Sequence, residues 1–452
     1  MKKFIVLLFT ITCALLKLVA QDISGAWSGE LNIQGTKLPI VFNIEKSADT
    51  YAATMDSPNQ GVKNIPTTSV VFENSKLIIK VAQLGAEYEG ELIKPTEIKG
   101  SFKQSGFTFP LDLEKKEFKI NRPQEPQPPF SYFVEDVFFE NKSAGIILAG
   151  TLTYPKAGNS FPAVVLITGS GAQDRNEEVF GHKPFWVIAD YFTKNGIAVL
   201  RYDDRGFGKS EGKFSTGTTK DFASDAYAAV EYLKGRKEIN SGKIGILGHS
   251  EGGLITFMLA AEHHDISFII SMAGAAVQGD SLLYEQRKMI SSAAGVNPVA
   301  FEQNEELIKK INALIVTKTM DEVKENATIY VEELFPKGLD EDQKKHFANQ
   351  LVRQAAPWMQ YFLQYDPAAD IAKIKCPILA INGEKDLQVG ATTNLGTIKR
   401  IAPHAEIKSY PDLNHLFQHC KTGLVAEYGQ IEETISPEVL KDIADWIRLT
   451  TN

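Results

Sequence analysis

KIGILGHSEGGLITFMLAA, residues 243–261, runs from an apolar strand pattern into a helix pattern through one serine crowded by glycine. Ile244, Ile246 and Leu247 make the strand, and Gly252-Gly253-Leu254-Ile255 opens the helix. Between them Gly248-His249-Ser250-Glu251-Gly252 fits G-x-S-x-G, in which the two glycines let strand and helix approach around a strained turn that presents the serine hydroxyl. The five-residue match is weak by itself; a strand before it and a helix after it give it weight. Ser250 is therefore read as a nucleophile rather than as an ordinary turn serine. His249 is read as structural, with its side chain directed away from the Ser250 hydroxyl.

A nucleophilic serine needs a base, and the base needs a carboxylate to orient it. In a strand–elbow–helix fold of this kind the acid and then the histidine follow the serine along the chain. Asp386 follows the apolar strand Ile378 to Ile381 in Asn382-Gly383-Glu384-Lys385-Asp386, and His415 follows Ile407-Lys408-Ser409-Tyr410 in Pro411-Asp412-Leu413-Asn414-His415-Leu416. Both fall in loops on the sheet edge where Ser250 belongs. Glu384 is the rival acid. His419 is the rival base, placed a turn or so into a following helix pattern. Attack on a carbonyl also requires donors for the developing oxyanion. The amide of Glu251 is one, and the amide of Ser170 in Thr168-Gly169-Ser170-Gly171, the loop after strand Ala163 to Ile167, is the other.

Two further stretches draw attention. Arg201-Tyr202-Asp203-Asp204-Arg205-Gly206-Phe207-Gly208-Lys209-Ser210 is read as an Asp–Arg network holding its loop beside the elbow. It lacks the third glycine of a dinucleotide fingerprint, so nicotinamide binding is not supported. Pro357 to Tyr365, with Trp358, Tyr361, Phe362 and Tyr365, is read as core packing of a cap, with lining of an acyl or alcohol pocket as the alternative.

The chain of 452 residues is too long for one compact core, so two or three domains are expected. Its net charge of -8 argues against nucleic-acid binding, which needs concentrated basic surface. Lys2-Lys3, the apolar run Phe4 to Leu16 and Leu18-Val19-Ala20 read as a secretory signal peptide over residues 1–20, with the mature chain beginning near Gln21. Lys17 breaks the run before it reaches the ~20 residues that span a bilayer, so no stable membrane insertion is expected after cleavage. Cys13 lies inside the run without a lipobox. Cys376 and Cys420 remain after export, and the sequence does not say whether they pair. His263-His264 and His415/His419 lack metal-site spacing, so no metal is expected.

From residue 21 to 120, period-two runs such as Lys76-Leu77-Ile78-Ile79-Lys80-Val81 predict a small antiparallel sandwich or barrel. Residues 121–130, rich in proline, read as a semi-rigid linker. Over 131–452, after a hairpin of Val134 to Glu140 with Ile146 to Tyr154, near-continuous apolar strands alternate with helix patterns such as Asp221 to Leu233. These predict a mostly parallel sheet covered on both faces. The charged helical texture at about 275–373 predicts a cap over the carboxyl edge of the sheet, and Ser436-Pro437 predicts the start of a last helix.

At this point the residues resemble the α/β-hydrolase superfamily. More narrowly they are similar to exported bacterial carboxylesterases with an amino-terminal β domain, often described as serine aminopeptidase-like. The resemblance rests on TGSGAQDR (168–175), RYDDRGFGKS (201–210), GHSEGG (248–253), NGEKDLQV (382–389) and NHLFQ (414–418), with MDSPNQ (55–60) in the amino-terminal part. Thr168 stands where many relatives have histidine. The resemblance implies an α/β-hydrolase fold with a helical cap, preceded by a small antiparallel β domain. It implies a periplasmic or secreted enzyme that hydrolyses short acyl or aryl esters, such as those decorating plant polysaccharides, through an acyl-enzyme on Ser250 with His415 and Asp386. No cofactor is implied. A serine peptidase using the same triad is the alternative, and an inert hydrolase domain that binds ligand or glycan is a third class.

Overall fold

In the computed structural model, residues 22–33, 36–48, 50–118, 121–335 and 338–452 are described. The signal-peptide segment 1–20 and Cys13 lie outside the described residues. The chain divides into two compact units, Met1–Lys119 and Ile120–Asn452.

The first unit is all β: β1 (Gly25–Ile33), β2 (Thr36–Ser47), β3 (Thr50–Ser57), β4 (Val62–Pro66), β5 (Ser69–Glu73), β6 (Lys76–Val81), β7 (Ala86–Lys94), β8 (Glu97–Gln104), β9 (Phe107–Pro110) and β10 (Leu113–Lys115). They form one antiparallel sheet in the order β4-β3-β2-β1-β10-β8-β7-β6-β5, with β9 paired to β8. The two end strands are joined by Thr67 and Thr68 alone. The Thr67 N–H donates to Ala53 O (3.3 Å) and the Thr68 N–H to Lys80 O (2.7 Å), which draws the ends together. This is a single curled sheet, a half-barrel rather than a two-sheet sandwich. Alternate residues point inward, so Trp27, Phe42, Leu77, Ile79, Tyr88 and Ile98 fill its core.

Residues 121–130, read above as a linker, fall at the start of the second unit. Arg122 donates to the carbonyls of Phe180, Gly181, Gly429 and Ile431, and the Gln124 side chain bonds Thr434 and Ile435. Prolines supply no amide donors, but these two side chains supply hydrogen bonds of their own, and the segment is bound along the second unit. Arg122 also bears on His182. Burial, and then the Arg122 charge, push the imidazole down to about 4. A depressed histidine pKa stabilises the fold above the unfolded value of about 6.5 and loses that contribution as pH falls toward the folded one. The thermal stability of wild type should therefore fall more between about pH 6.5 and 4 than that of His182→Gln. Parallel scans across this window check it, and identical slopes would refute it.

The strands of this unit are β11 (Tyr132–Asn141), β12 (Ile146–Pro155), β13 (Phe161–Ile167), β14 (Ala198–Tyr202), β15 (Ile239–His249), β16 (Phe268–Met272), β17 (Ile378–Gly383) and β18 (Glu406–Tyr410). Their order is β11-β12-β14-β13-β15-β16-β17-β18. The β11–β12 hairpin joins β14 antiparallel; from β14 onward every pairing is parallel. Burial on both faces explains the unbroken apolar strands. Val164, Leu166 and Val199 face helices α1 (Pro184–Lys194) and α11 (Pro437–Thr451), while Val165, Ile246 and Ile269 face α2 (Thr219–Lys234), α3 (Glu251–Glu262) and α10 (Ala391–Ile401). Ser436 does occupy the N-cap position of α11, but its hydroxyl makes no capping bond.

Strand order reverses at β13, so the loops after β13 and β15 flank the crevice at which open α/β sheets place their sites. Over that edge lies the insertion between β16 and β17: α4 (Gly279–Ala293), α5 (Pro298–Thr317), α6 (Met320–Leu334), α7 (Glu341–Gln354), α8 (Pro357–Gln364) and α9 (Ala368–Ile371). It has a small core of its own, including Ile315, Val323, Val331, Leu351 and Leu363.

Candidate active site

Ser250 stands between β15 and α3 with φ 56° and ψ -115°, a conformation that side chains other than glycine rarely adopt. The surroundings enforce it. A Cβ on Gly248 would fall 2.0 Å from Gly252 O, and one on Gly252 would fall 2.1 Å from Ile167 O. Glycine is thus required on both sides for the strand, the turn and β13 to meet. The Ser250 N–H donates to Met272 O (2.9 Å), lacing the turn to β16.

The β17 and β18 loops bring Asp386 and His415 together. Asp386 Oδ2 accepts from His415 Nδ1 at 2.7 Å, and Asp386 Oδ1 accepts the amides of Gln388 (2.7 Å) and Val389 (2.9 Å). Asp386 is 2% and His415 4% exposed, so this pair is shielded from water. Among the described residues no hydrogen bond joins Ser250 to His415, but both line one cavity of about 310 Å³. Such bonds are often long in unliganded sites and tighten with substrate. The rivals lie elsewhere. Glu384 is exposed and accepts from the Ser409 hydroxyl. His419 pairs with Glu433 in an exposed position, and the helix expected to carry it is absent: residues 416–420 form a loop closed by a Leu413–His419 bridge.

Gly169 and Ser170 border the same cavity. A Cβ on Gly169 would approach Ser250 Cβ to 3.3 Å, so the loop after β13 passes directly against the elbow. Neither the Ser170 nor the Glu251 amide has an acceptor among the described residues. The Asp203–Asp204–Arg205 stretch holds this loop, with its side chains bonded mainly to other segments. Asp204 accepts from the Thr168 hydroxyl (2.8 Å) and the Gln173 amide (2.9 Å). Burial pushes its carboxyl up to about 7 in spite of these bonds. Asp203 receives Arg175 through two bonds (2.9 and 2.7 Å), and Arg205 grips Asp225 (2.6 and 2.9 Å).

Two side chains gain parts that no sequence pattern announced. The buried Glu251 carboxylate accepts the Thr219 hydroxyl (2.6 Å) and Trp358 Nε1–H (2.8 Å), which ties cap helix α8 to the elbow. Burial raises its pKa, against hydrogen bonds from Thr219, Trp358 and the Ser170 hydroxyl. His249 Nδ1 lies 2.9 Å from Glu177 Oε1, and its Nε2 lies 2.9 Å from His415 O. The aromatic stretch of α8 divides its work: Trp358 and Phe362 line the cavity, while Leu363 packs inside the cap. Leu282 of α4, with Phe180 and Tyr428, completes much of the wall. Among the described residues no group of three or more His, Cys, Asp or Glu is placed to hold a metal, and Cys376 and Cys420 are free thiols.

The profile of X-Pro dipeptidyl-peptidases (S15 family) matches residues 144–400, more than half of the chain. The chain belongs to this S15 family. The match takes in Ser250 and Asp386 and ends before His415. As an S15 member the chain is an α/β-hydrolase, a hydrolase of the serine esterase or peptidase kind. Esterase EstD of Thermotoga maritima is 26% identical to it over 318 residues, 70% of this chain and 69% of that protein. An uncharacterized 31.7 kDa protein of Escherichia coli is 27% identical over 210 residues, 44% of this chain and 66% of its own length. Among solved structures, a Pyrococcus furiosus esterase covers 74% of this S15 chain and 100% of its own, with 15% identity and a TM-score of 0.44.

Proposed function

We propose that this protein is an exported serine carboxylesterase that cleaves short acyl or aryl esters through an acyl-enzyme. His415 Nε2 takes the Ser250 proton as Oγ attacks the ester carbonyl, and Asp386 holds the imidazole in the tautomer that leaves Nε2 free to accept. The oxyanion is received by the amides of Glu251 and Ser170. His415 then protonates the departing alcohol, and a water activated by the same ring releases the acid and restores Ser250. The observation that carries this reading is the buried 2.7 Å Asp386–His415 bond at the cavity that the strained Ser250 lines. Its walls, with Trp358, Phe362, Phe180 and Tyr428, suit an apolar acyl or aryl group, and its volume lies near the lower end for ligand pockets. Esters that decorate plant polysaccharides fit this description.

The S15 family description favours a second reading, a serine peptidase, because the same triad cleaves amides. Parallel assays decide between them. With matched acyl groups, kcat/KM on p-nitrophenyl acetate and butyrate should exceed that on aminoacyl and X-Pro p-nitroanilides by at least about 100-fold. A preference for the anilides would replace the esterase reading with the peptidase one. Export rests on residues 1–20, and a mature chain beginning near Gln21 in the extracellular or periplasmic fraction would support it.

A further inference from the structure

Both ring nitrogens of His249 face acceptors: the Glu177 carboxylate at Nδ1 and the carbonyl oxygen of His415 at Nε2, each 2.9 Å away. A neutral imidazole has one N–H and one bare lone pair. Either tautomer would therefore set a lone pair against an oxygen at one end, and the doubly protonated ring alone donates at both. The charged groups that face the ring are Glu177 and Asp386, with the His415 ring 4.7 Å from it. Burial works against a charge here, but the Glu177 carboxylate and the His415 carbonyl outweigh it and raise the His249 pKa. Glu177 is 2% exposed, and its Oε1 also accepts the Gly169 N–H at 2.9 Å. A continuous tie thus runs from the loop after β13, through Glu177 and His249, to the backbone of the residue that carries the base. It shares no bond with the Asp386–His415 pair.

We propose that His249 is a fixed imidazolium which, with Glu177, positions the Gly169–Ser170 loop and the His415 backbone relative to each other. The pair borders the Ser250 cavity and serves the reaction through the groups it holds in place, and the proposal rests on the reading of that site given above. The charge balance is favourable to it. Glu177, His249 and Asp386 together carry one net negative charge, so a proton arriving on His415 during turnover neutralises the cluster instead of making it cationic.

The test has a spectroscopic arm and a kinetic arm, both on the full mature chain. Nitrogen-15 NMR of histidine-labelled protein, with His249 assigned by its loss in His249→Gln, should show both ring nitrogens protonated from about pH 6 to about pH 8, across which a free imidazole loses its proton. In Glu177→Gln the ring should become neutral by about pH 8. The same variant should lose about 10- to 100-fold in kcat, with KM within about twofold, as expected of a misaligned site that still binds. A bare His249 nitrogen in wild type at about pH 8 would overturn the proposal. So would a folded Glu177→Gln enzyme that is less stable but unchanged in kcat. The ring protonation is read without turnover, so a wild type inactive on every ester and amide would count against the site reading and leave the His249 result to stand by itself.

Discussion

Ser250→Ala is expected to lower kcat by about 10⁶-fold, the loss seen when the nucleophile of a serine hydrolase is removed. That corresponds to roughly 8 kcal/mol of transition-state stabilisation. KM should change little, because the cavity walls and the amides of Ser170 and Glu251 stay where they are. The fold should also persist. Alanine and serine meet the same difficulty at φ 56°, the neighbouring Gly248 and Gly252 are untouched, and the Ser250 backbone bond to Met272 remains. Matched circular dichroism spectra beside steady-state ester hydrolysis check both halves. A variant within tenfold of wild type would remove Ser250 from the chemistry.

Asp386→Asn should cost about 10⁴-fold in kcat, through a change of tautomer more than through lost charge. The reason lies in the two ends of the carboxylate. Oδ1 accepts the amides of Gln388 and Val389, so an asparagine must keep its carbonyl oxygen there. Its NH₂ is then turned toward His415 Nδ1, where Oδ2 stood. Facing a donor, Nδ1 becomes the acceptor and the ring proton moves to Nε2, the nitrogen that should take the Ser250 proton. Binding should be nearly intact, so the loss falls on kcat. A decrease of less than about tenfold would mean that Asp386 does not orient the base.

Much of this site was legible because the chemistry is written in short stretches. The glycines around Ser250 are steric necessities of one turn, and Asp386 and His415 each close a recognisable strand. The strand–helix alternation likewise gave the parallel sheet, and the change to charged helical texture gave the cap. What escaped depends on contacts between distant positions. His249 meets Glu177 across 72 residues and the His415 carbonyl across 166, and Glu177 sits among other polar residues with nothing to distinguish it. The Glu251–Trp358 bond spans 107 residues, so the sequence offers a tryptophan in an aromatic run but no sign that it fastens the cap. The docking of residues 121–130 was hidden for a different reason: proline content reports backbone stiffness, while the docking is done by the side chains of Arg122 and Gln124. Alternation in the amino-terminal unit identified strands, yet it does not encode whether a sheet curls on itself or splits into two.

The most direct test of the central claim is the site of covalent capture. Mature protein treated with a fluorophosphonate ester, digested and analysed by mass spectrometry should carry one adduct, on Ser250 in the peptide containing Gly248 to Gly253, with loss of ester hydrolysis in proportion to labelling and no adduct in Ser250→Ala. Enzyme that continues to hydrolyse esters with Ser250 unmodified, or that carries the adduct on another residue, would contradict it.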